Sequence, residues 1–430
     1  MSALRVGIAG LGSVGANVFQ LLKDNAGLIS ARAGRQLVVT AVSARDKSKK
    51  RGLDMAAVAW HDNPVAMADD PNVDVVVELM GGATGAAHDL VMKALQNGKA
   101  VVTANKALLS AQAAEIQKAL AAGKGSIAYE AAVAGGIPAI KGLREGLAAN
   151  NIQAVYGILN GTCNFILTEM RTTKRDFADV LKEAQYKGYA EADPTFDIDG
   201  IDASHKLSIL SALAFGVLPD VSSIKTSGIR HITALDIEFA DELGYRIKLL
   251  GIARQTAGGI EQSVEPCLVP KAAPIASVEG ALNAVYINGD YSGKILLMGA
   301  GAGGKPTASA VVADIIDVAR GHRLPLLAIS PDRVSALKPA DMRARKGSYY
   351  LRLIVLDQPG VIADVSAILR DEKVSLESVL QRGHAPEQPV PVILTTHGTE
   401  EGAIQRAVEK ISKLKSVAAP PHLMRIETFE

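Results

Sequence analysis

The chain has 430 residues, more than one compact core usually holds, so two or three domains are expected. Hydrophobic residues make up 48% and charged residues 21%, a globular composition that excludes a disordered chain. A formal net charge of +1 offers no basic field to nucleic acid, and no apolar run reaches the ~18 residues of a membrane span. The N-terminus enters a strand pattern directly, without a secretory leader. Two distant cysteines, Cys163 and Cys267, give neither a disulfide framework nor zinc-ligand spacing. The expectation is a cytoplasmic α/β protein of several domains, with no nucleic acid and no membrane among its partners.

Taken in chain order, residues 4–9 (LRVGIA) are dense in aliphatics and read as a buried strand. The loop GLGSVG follows, and then a helix through Ala16, Val18, Leu21 and Leu22. Further strands are expected at 37–43, 73–81, 99–105 and 126–131, with Gly-closed helical patterns between the later ones. Strands alternating with helices imply a parallel, doubly wound sheet of Rossmann type over residues 1–136. From about 137 the pattern changes to an α+β catalytic and dimerisation domain through 299, with a strand at IQAVYGIL and helices around 176–188 and 200–216. A glycine cluster from 298 runs into a helix that would return to the first domain and complete it at about 300–320. Residues 321–346, rich in turn signals, read as a linker. The tail, 347–430, has a βαββαβ order, which is ferredoxin-like.

Gly10-x-Gly12-x-x-Gly15 sits between a strand and a helix. Glycine allows a tight turn and a close approach of backbone to a pyrophosphate, and the helix start offers oriented N–H groups. The context makes this a dinucleotide site rather than a plain glycine turn. An acid at the end of the second strand would favour the ribose hydroxyls of NAD. Here that strand runs into Ser43-Ala44-Arg45, with Lys47, Lys49, Lys50 and Arg51 beyond, and arginine suits the 2′-phosphate of NADP. Asp46 beside Arg45, and the plainer reading of a solvated basic loop, keep NAD open.

Two segments follow strand ends, where ligands bind in such sheets: Glu78-Leu79-Met80-Gly81-Gly82 and Thr103-Ala104-Asn105-Lys106. Lys106 could polarise a carbonyl, or simply reach solvent from a helix start. The richest chemistry lies at 184–206, where Glu191, Asp193, Asp197, Asp199 and Asp202 precede Lys206. A helix beginning near Gly200 sets Asp202 and Lys206 on one face, four residues apart. That pair could be an ordinary surface bridge with acids on a helix dipole. It could also handle the proton of an alcohol during hydride transfer, with carboxylates holding a substrate ammonium. His205 reads as a packing or surface residue.

The stretch GYAEADPTFDIDGIDASHK closely resembles the signature of the homoserine dehydrogenase family. VVTANKALL, YEAAVAGGIP, NGTCNFILTEM and GAGAGGKPTASAVVADI resemble that family's segments too, in order over residues 4–320. The resemblance implies reversible reduction of L-aspartate 4-semialdehyde to L-homoserine with NADPH or NADH, in threonine, methionine and isoleucine biosynthesis. By position it makes Lys206 the proton donor to the aldehyde oxygen and Lys106 the second catalytic lysine. Glu191 and Asp202, with Asp197 and Gly188, would bind or orient the amino-acid end, and Gly161 and Thr162 would lie beside it. Gly10, Leu11, Gly12, Ser13, Val14 and Gly15 would cradle the cofactor, with Arg45 near the adenosine ribose. Thr103 and Lys106 would lie further along the cofactor, and Gly303 would return to it. The family also implies a monovalent cation, sodium, held largely by backbone carbonyls at Glu130, Val133, Gly135 and Ile137. Cys163 stands where the family more often has Thr or Ser, which would put a thiol near the substrate.

The tail resembles an ACT domain, with Asp357-Gln358-Pro359-Gly360-Val361 at its strand-to-helix turn. The implied effector site is Asp357, Gly360 and Val361, and the implied effector is L-threonine; the alternative is a pairing module without a ligand. A homodimer or homotetramer is expected. No aspartokinase-like stretch precedes the glycine loop, so a fused bifunctional chain is not expected. Two other readings stay open. One is a different amino-acid semialdehyde dehydrogenase on the same fold. The other is a ligand sensor with an inactive core, against which Lys106 and Lys206 argue.

Overall fold

The structure, a computed structural model, describes residues 2–382 and 388–429. The chain begins with β1 (Leu4–Ala9), α1 (Ser13–Asp24), α2 (Ala26–Ala33), β2 (Leu37–Ser43), β3 (Ala59–Trp60), β4 (Val75–Glu78), α3 (Ala86–Gln96), β5 (Ala100–Thr103), α4 (Lys106–Ala122) and β6 (Ser126–Ala128). These strands form a parallel six-stranded sheet in the order β3-β2-β1-β4-β5-β6. Val6, Ile8, Val75, Val76, Val77, Val101 and Val102 are all buried, as expected for strands covered on both faces. The last strand is shorter than expected because Glu130–Ala132 turn into a 3-10 helix.

The middle of the chain contributes α5 (Ala139–Lys141), β7 (Ile152–Ile158), α6 (Gly161–Thr173), α7 (Phe177–Tyr186), α8 (Thr195–Ile198), α9 (Ile201–Phe215), β8 (Lys225–Thr226), α10 (Ala234–Glu242), β9 (Tyr245–Thr256), β10 (Gly259–Pro270), β11 (Leu282–Gly289) and β12 (Gly293–Ala300). Helix α9 is apolar on most sides, from Ala203 through Leu207, Ile209 and Leu210 to Leu213, and is accordingly buried. Next comes α11 (Gly304–Ala319), whose Ala308, Val311, Val312 and Ile315 share one core with Val18, Phe19 and Leu22 of α1. The late helix therefore does return to the first sheet.

The tail comprises β13 (Lys346–Leu356), α12 (Val361–Asp371), β14 (Leu376–Gln381), β15 (Pro389–Thr396), β16 (Thr399–Glu400), α13 (Glu401–Ile411) and β17 (Val417–Ile426). Its sheet order, β17-β13-β15-β14, is that of a ferredoxin-like module. It is not a separate sheet, however. β17 pairs in parallel with β10, Cys267 opposite Arg425 and Leu268 opposite Ile426, so one sheet runs β12-β11-β7-β9-β10-β17-β13-β15-β14. Three residues past the end of β17, Phe429 packs its ring 4.8 Å from Tyr156 and 5.7 Å from Tyr286. The segment expected to be a linker is also tied down. Leu326 and Leu327 are buried, Tyr129 donates to the Leu326 carbonyl, and bridges form at Val217–Ser335 and Ile260–Pro339. Turn residues marked that segment as irregular, but its backbone finds partners just past the end of α9 and on β10. Among the described residues, no helix is long and apolar enough to cross a membrane.

Candidate active site

The first half of the site is a cleft of about 820 Å³ at the C-terminal edge of the parallel sheet. Gly10, Leu11 and Gly12 form one wall, Met80 and Gly81 another, and Arg45, Lys49 and Arg51 one end. Gly10 has φ 103, and a Cβ there would lie 2.6 Å from the Leu79 carbonyl oxygen. A Cβ on Gly15 would lie 1.9 Å from the Gly10 carbonyl oxygen, so only glycine lets the helix start so close to the loop. Gly12 and Ser13 are exposed, Val14 is half-buried, and no side chain caps α1, which leaves its first N–H groups for a ligand. Leu11 instead buries its side chain in the core and gives its carbonyl to Arg51. Gly303 precedes α11, whose first residue packs on Ser13 and Asn17, so a second helix start meets the same loop.

Arg45 is exposed at the cleft end. Its neighbour Asp46 is turned to Ser48, whose hydroxyl and backbone N–H hold its carboxylate below the usual range. Lys47 and Arg51 lie over the Trp60 ring at 5.8 and 5.9 Å. At the other wall Glu78 is fully buried. It accepts the Met80 and Gly81 N–H groups at 2.7 and 3.0 Å and the Thr103 hydroxyl at 2.7 Å. Thr103 in turn accepts the Asn105 N–H at 3.0 Å. Its side chain thus shapes the wall from behind, leaving Glu78 and Thr103 no side-chain surface for a cofactor. Asn105 caps α4 and donates to the Gly82 carbonyl at 2.7 Å, which binds the start of α4 to the cleft.

Lys106, the first residue of α4, brings its ammonium 2.9 Å from Asp202 Oδ1 and 5.8 Å from the Phe196 ring centre. Lys206 lies one turn along α9 from Asp202, buried, and donates to Asp202 Oδ2 and to the Leu159 carbonyl, each at 2.7 Å. One carboxylate thus joins two lysines from two different units. Burial would raise the Asp202 pKa, but Lys206 and Lys106 outweigh it and hold the group far below its ordinary value. The start of α9 adds a favourable dipole. This is the outcome of the 202/206 spacing, with Lys106 added by the fold.

Asn160 had no assigned role in the sequence, and the structure places it at the centre. Its Oδ1 caps α6 by accepting the Cys163 N–H at 2.8 Å. Its Nδ2 donates to Asp197 at 2.8 Å and to Asp202 at 2.9 Å. An Asn before Gly-Thr at a helix start was the available signal. Thr162 donates to the Tyr189 carbonyl at 2.7 Å and lies 3.4 Å from Asp197 Oδ2. Gly161 opens α6, where a Cβ would lie 2.7 Å from the Ala281 carbonyl oxygen. Burial raises the Asp197 pKa; the Asn160 amide opposes this and the Asp202 charge adds to it. Glu191 and Gly188 lie outside this cluster, exposed on the loop after α7. His205 is half-buried, hydrogen-bonded to Ser110 at 2.8 Å and stacked on Phe196. The Cys163 thiol is buried and donates to the Asp197 carbonyl at 3.2 Å, and burial pushes its pKa well up. It is therefore no nucleophile.

Just after β6, Glu130 is buried and its carboxylate accepts the N–H groups of Ile140 and Lys141. Val133, Gly135 and Ile137 follow in a loop where Ala134 and Gly135 have φ 56 and 54. Among the described residues no cluster of His, Cys, Asp or Glu has the arrangement of a metal site. In the tail, Gly360 precedes α12 without a side-chain cap and is exposed, Asp357 is half-buried, and Val361 is buried.

The comparisons with known proteins agree with this geometry. The sequence model described as the homoserine dehydrogenase NAD binding domain matches residues 10–130, that described as homoserine dehydrogenase matches 138–316, and the ACT domain matches 349–416. The homoserine dehydrogenase of Pseudomonas aeruginosa is 49% identical, with 99% of each chain covered. That of Neisseria gonorrhoeae is 47% identical over 100% of each. The crystal structure of a homoserine dehydrogenase from Thiobacillus denitrificans has a TM-score of 0.94 at 48% identity, covering 100% of this chain and 99% of that one. A hyperthermophilic archaeal homoserine dehydrogenase in complex with NADPH is more distant, with a TM-score of 0.63 at 27% identity over 74% of this chain and 98% of that one. The chain belongs to the homoserine dehydrogenase family, oxidoreductases of amino-acid biosynthesis that bind a nicotinamide cofactor.

Proposed function

We propose that the enzyme interconverts L-aspartate 4-semialdehyde and L-homoserine, with NADP preferred and NAD tolerated. The observation that carries this reading is the Lys106–Asp202–Lys206 array beside the dinucleotide cleft. A nicotinamide dinucleotide in the cleft supplies or accepts the hydride. Lys206 gives its proton to the aldehyde oxygen as the C–H bond forms, and takes it back in oxidation. Lys106 steadies the negative charge that develops on that oxygen. Asp202 has both oxygens engaged, so its part is to orient the two lysines. Asp197 has one weakly bonded oxygen to offer the substrate ammonium, with Glu191, exposed on the loop after α7, as a second carboxylate for it. The basic cleft end, with Arg45 exposed and Asp46 turned away, supports a 2′-phosphate.

A monovalent cation, sodium, fits the 130–137 loop. The carbonyls of Val133 and Gly135 accept no hydrogen bond among the described residues, whereas the Ile137 carbonyl already accepts the Ala139 N–H. Val133, Gly135 and the neighbouring Glu130 would hold it, with Ile137 the weaker ligand. The exposed start of α12 at Gly360 suits the carboxylate of an amino-acid effector, L-threonine, with Asp357 and Val361 beside it. Two copies would join through the edge strand β12, where Met298 is exposed, with Leu282 of the adjoining β11 exposed nearby. The two free, buried cysteines suit a reducing cytoplasm. The deciding experiment is spectrophotometric: homoserine-dependent reduction of NADP and NAD, abolished in Lys206→Ala. Full activity in that variant would overturn the assignment.

A further inference from the structure

We propose that the short strand β8 is a positioning element for the catalytic pair, tying Asp202 and Lys206 to the C-terminal unit through Lys225, Thr226 and Ser204. This rests on the assignment of Asp202 and Lys206 as the proton-handling centre. β8 pairs in parallel with β10, Ser263 opposite Lys225 and Val264 opposite Thr226, so its two side chains point to opposite faces. On one face Lys225 reaches Glu265 of β10 at 2.9 Å and Glu401, the first residue of α13, at 2.5 Å. Arg345, almost wholly buried, braces the same two acids at 2.7 Å each. Glu401 and Arg345 belong to the tail and the segment leading into it. Lys225 and Glu265 belong to the catalytic unit.

On the other face Thr226 Oγ1 lies 2.8 Å from Ser204 Oγ. Ser204 sits on α9 between Asp202 and Lys206, and its hydroxyl also donates to the Gly200 carbonyl at 2.9 Å. The stitching continues past the strand. Ile229 N–H donates to the Ile198 carbonyl at 2.9 Å, and Arg230 pairs with Asp199 at 2.5 Å. At Gly228 a Cβ would stand 2.1 Å from the Ile198 carbonyl oxygen, so the two backbones are in direct contact. These contacts fix residues 198–200, which decide where α9 begins and hence where Asp202, its second residue, points. A cavity of about 120 Å³ opens against Lys225, Glu265 and Glu401. The ion pair, rather than tight packing around it, therefore holds this end of the strand.

The path from Glu401 to the catalytic helix is two adjacent residues long. A shift of the tail that loosens the Lys225–Glu401 pair reaches Ser204 through the backbone of a single dipeptide. Displacing a catalytic group by about 1 Å costs up to ~100-fold in rate. The cofactor cleft shares no residue with this path, so the effect falls on kcat rather than on the KM for NADP.

The test compares Lys225→Met, Lys225→Arg, Ser204→Ala, Thr226→Val and Lys225→Met/Ser204→Ala in the full-length enzyme, with Lys206→Ala as control. For homoserine oxidation, Lys225→Met and Ser204→Ala should each lower kcat by about tenfold with the KM for NADP unchanged. Lys225→Arg should restore most of the rate. The double variant should be no slower than the slower single, because both break one line. Unchanged kcat in a folded Lys225→Met, or losses that multiply in the double, would overturn the inference. If Lys225→Met does not fold, Ser204→Ala and Thr226→Val decide it, and wild-type kcat in both overturns it. An inert Lys206→Ala beside fully active β8 variants refutes the positioning role alone. An active Lys206→Ala refutes the assignment on which it rests.

Discussion

Lys248 lies on β9 beneath helix α6, 2% exposed, with its ammonium donating to the Val278 carbonyl at 2.5 Å and to Asn164 Oδ1 at 3.2 Å. Burial lowers its pKa from 10.5 to about 8, and the Glu279 carboxylate, 3.9 Å away, only partly opposes this. Above 10.5 the side chain is neutral in both folded and unfolded chains. Between 10.5 and about 8 the unfolded chain holds a proton that the folded one does not, so stability rises with pH across this window. Below about 8 the folded protein carries the full penalty, ~3 kcal/mol for a drop of that size. Roughly 2 kcal/mol of it is relieved between pH ~7.5 and ~9.5. The perturbation is Lys248→Met, which keeps the length and removes the charge. At ~2.1 cal/mol/K per residue, the melting temperature of wild type relative to the variant should rise by about 2 °C over that pH range. Scanning both proteins at both pH values cancels the other titrating groups. A temperature difference between the two proteins that does not change with pH would refute the claim that a buried ammonium strains this sheet.

Three further outcomes are expected. Gly15→Ala should abolish thermal protection by NADP, because its Cβ would lie 1.9 Å from the Gly10 carbonyl oxygen; wild-type protection would contradict that contact. Arg45→Ala should raise the KM for NADP at least tenfold and leave that for NAD nearly unchanged, from loss of a charge-assisted hydrogen bond of ~1.5–3 kcal/mol. Equal changes for both cofactors would remove Arg45 from the 2′-phosphate. Asn160→Ala should lose about 1 kcal/mol of helix capping as well as activity, whereas Asn160→Ser should regain the stability and not the kcat. A serine variant with full kcat would show that the bridge between Asp197 and Asp202 is dispensable.

The parts of this protein legible in its sequence are those whose cause is local. Strands β1 and β2 match their expected bounds, because a buried parallel strand must be aliphatic on both faces. The Asp202–Lys206 pair follows from the helical period once Gly200 marks where the helix begins. Long-range partners leave no such trace. Glu78 opens a segment placed where ligands bind in such sheets, yet it spends both oxygens on its own loop and on Thr103, because a carboxylate buried that deeply must find nearby donors. Lys106 stood open between solvent and catalysis, and only the fold supplies its partner, the Asp202 carboxylate. The tail's internal order was readable from its pattern. Its merger with the catalytic sheet was not, because the β10–β17 pairing rests on backbone groups that any residue supplies. Arg345 illustrates the consequence: in the sequence it is one of several basic residues in a turn-rich stretch, and in the structure it is the buried brace between Glu265 and Glu401. The residues that join the two units therefore read as unremarkable surface charges, and the join itself is where sequence and structure differ most.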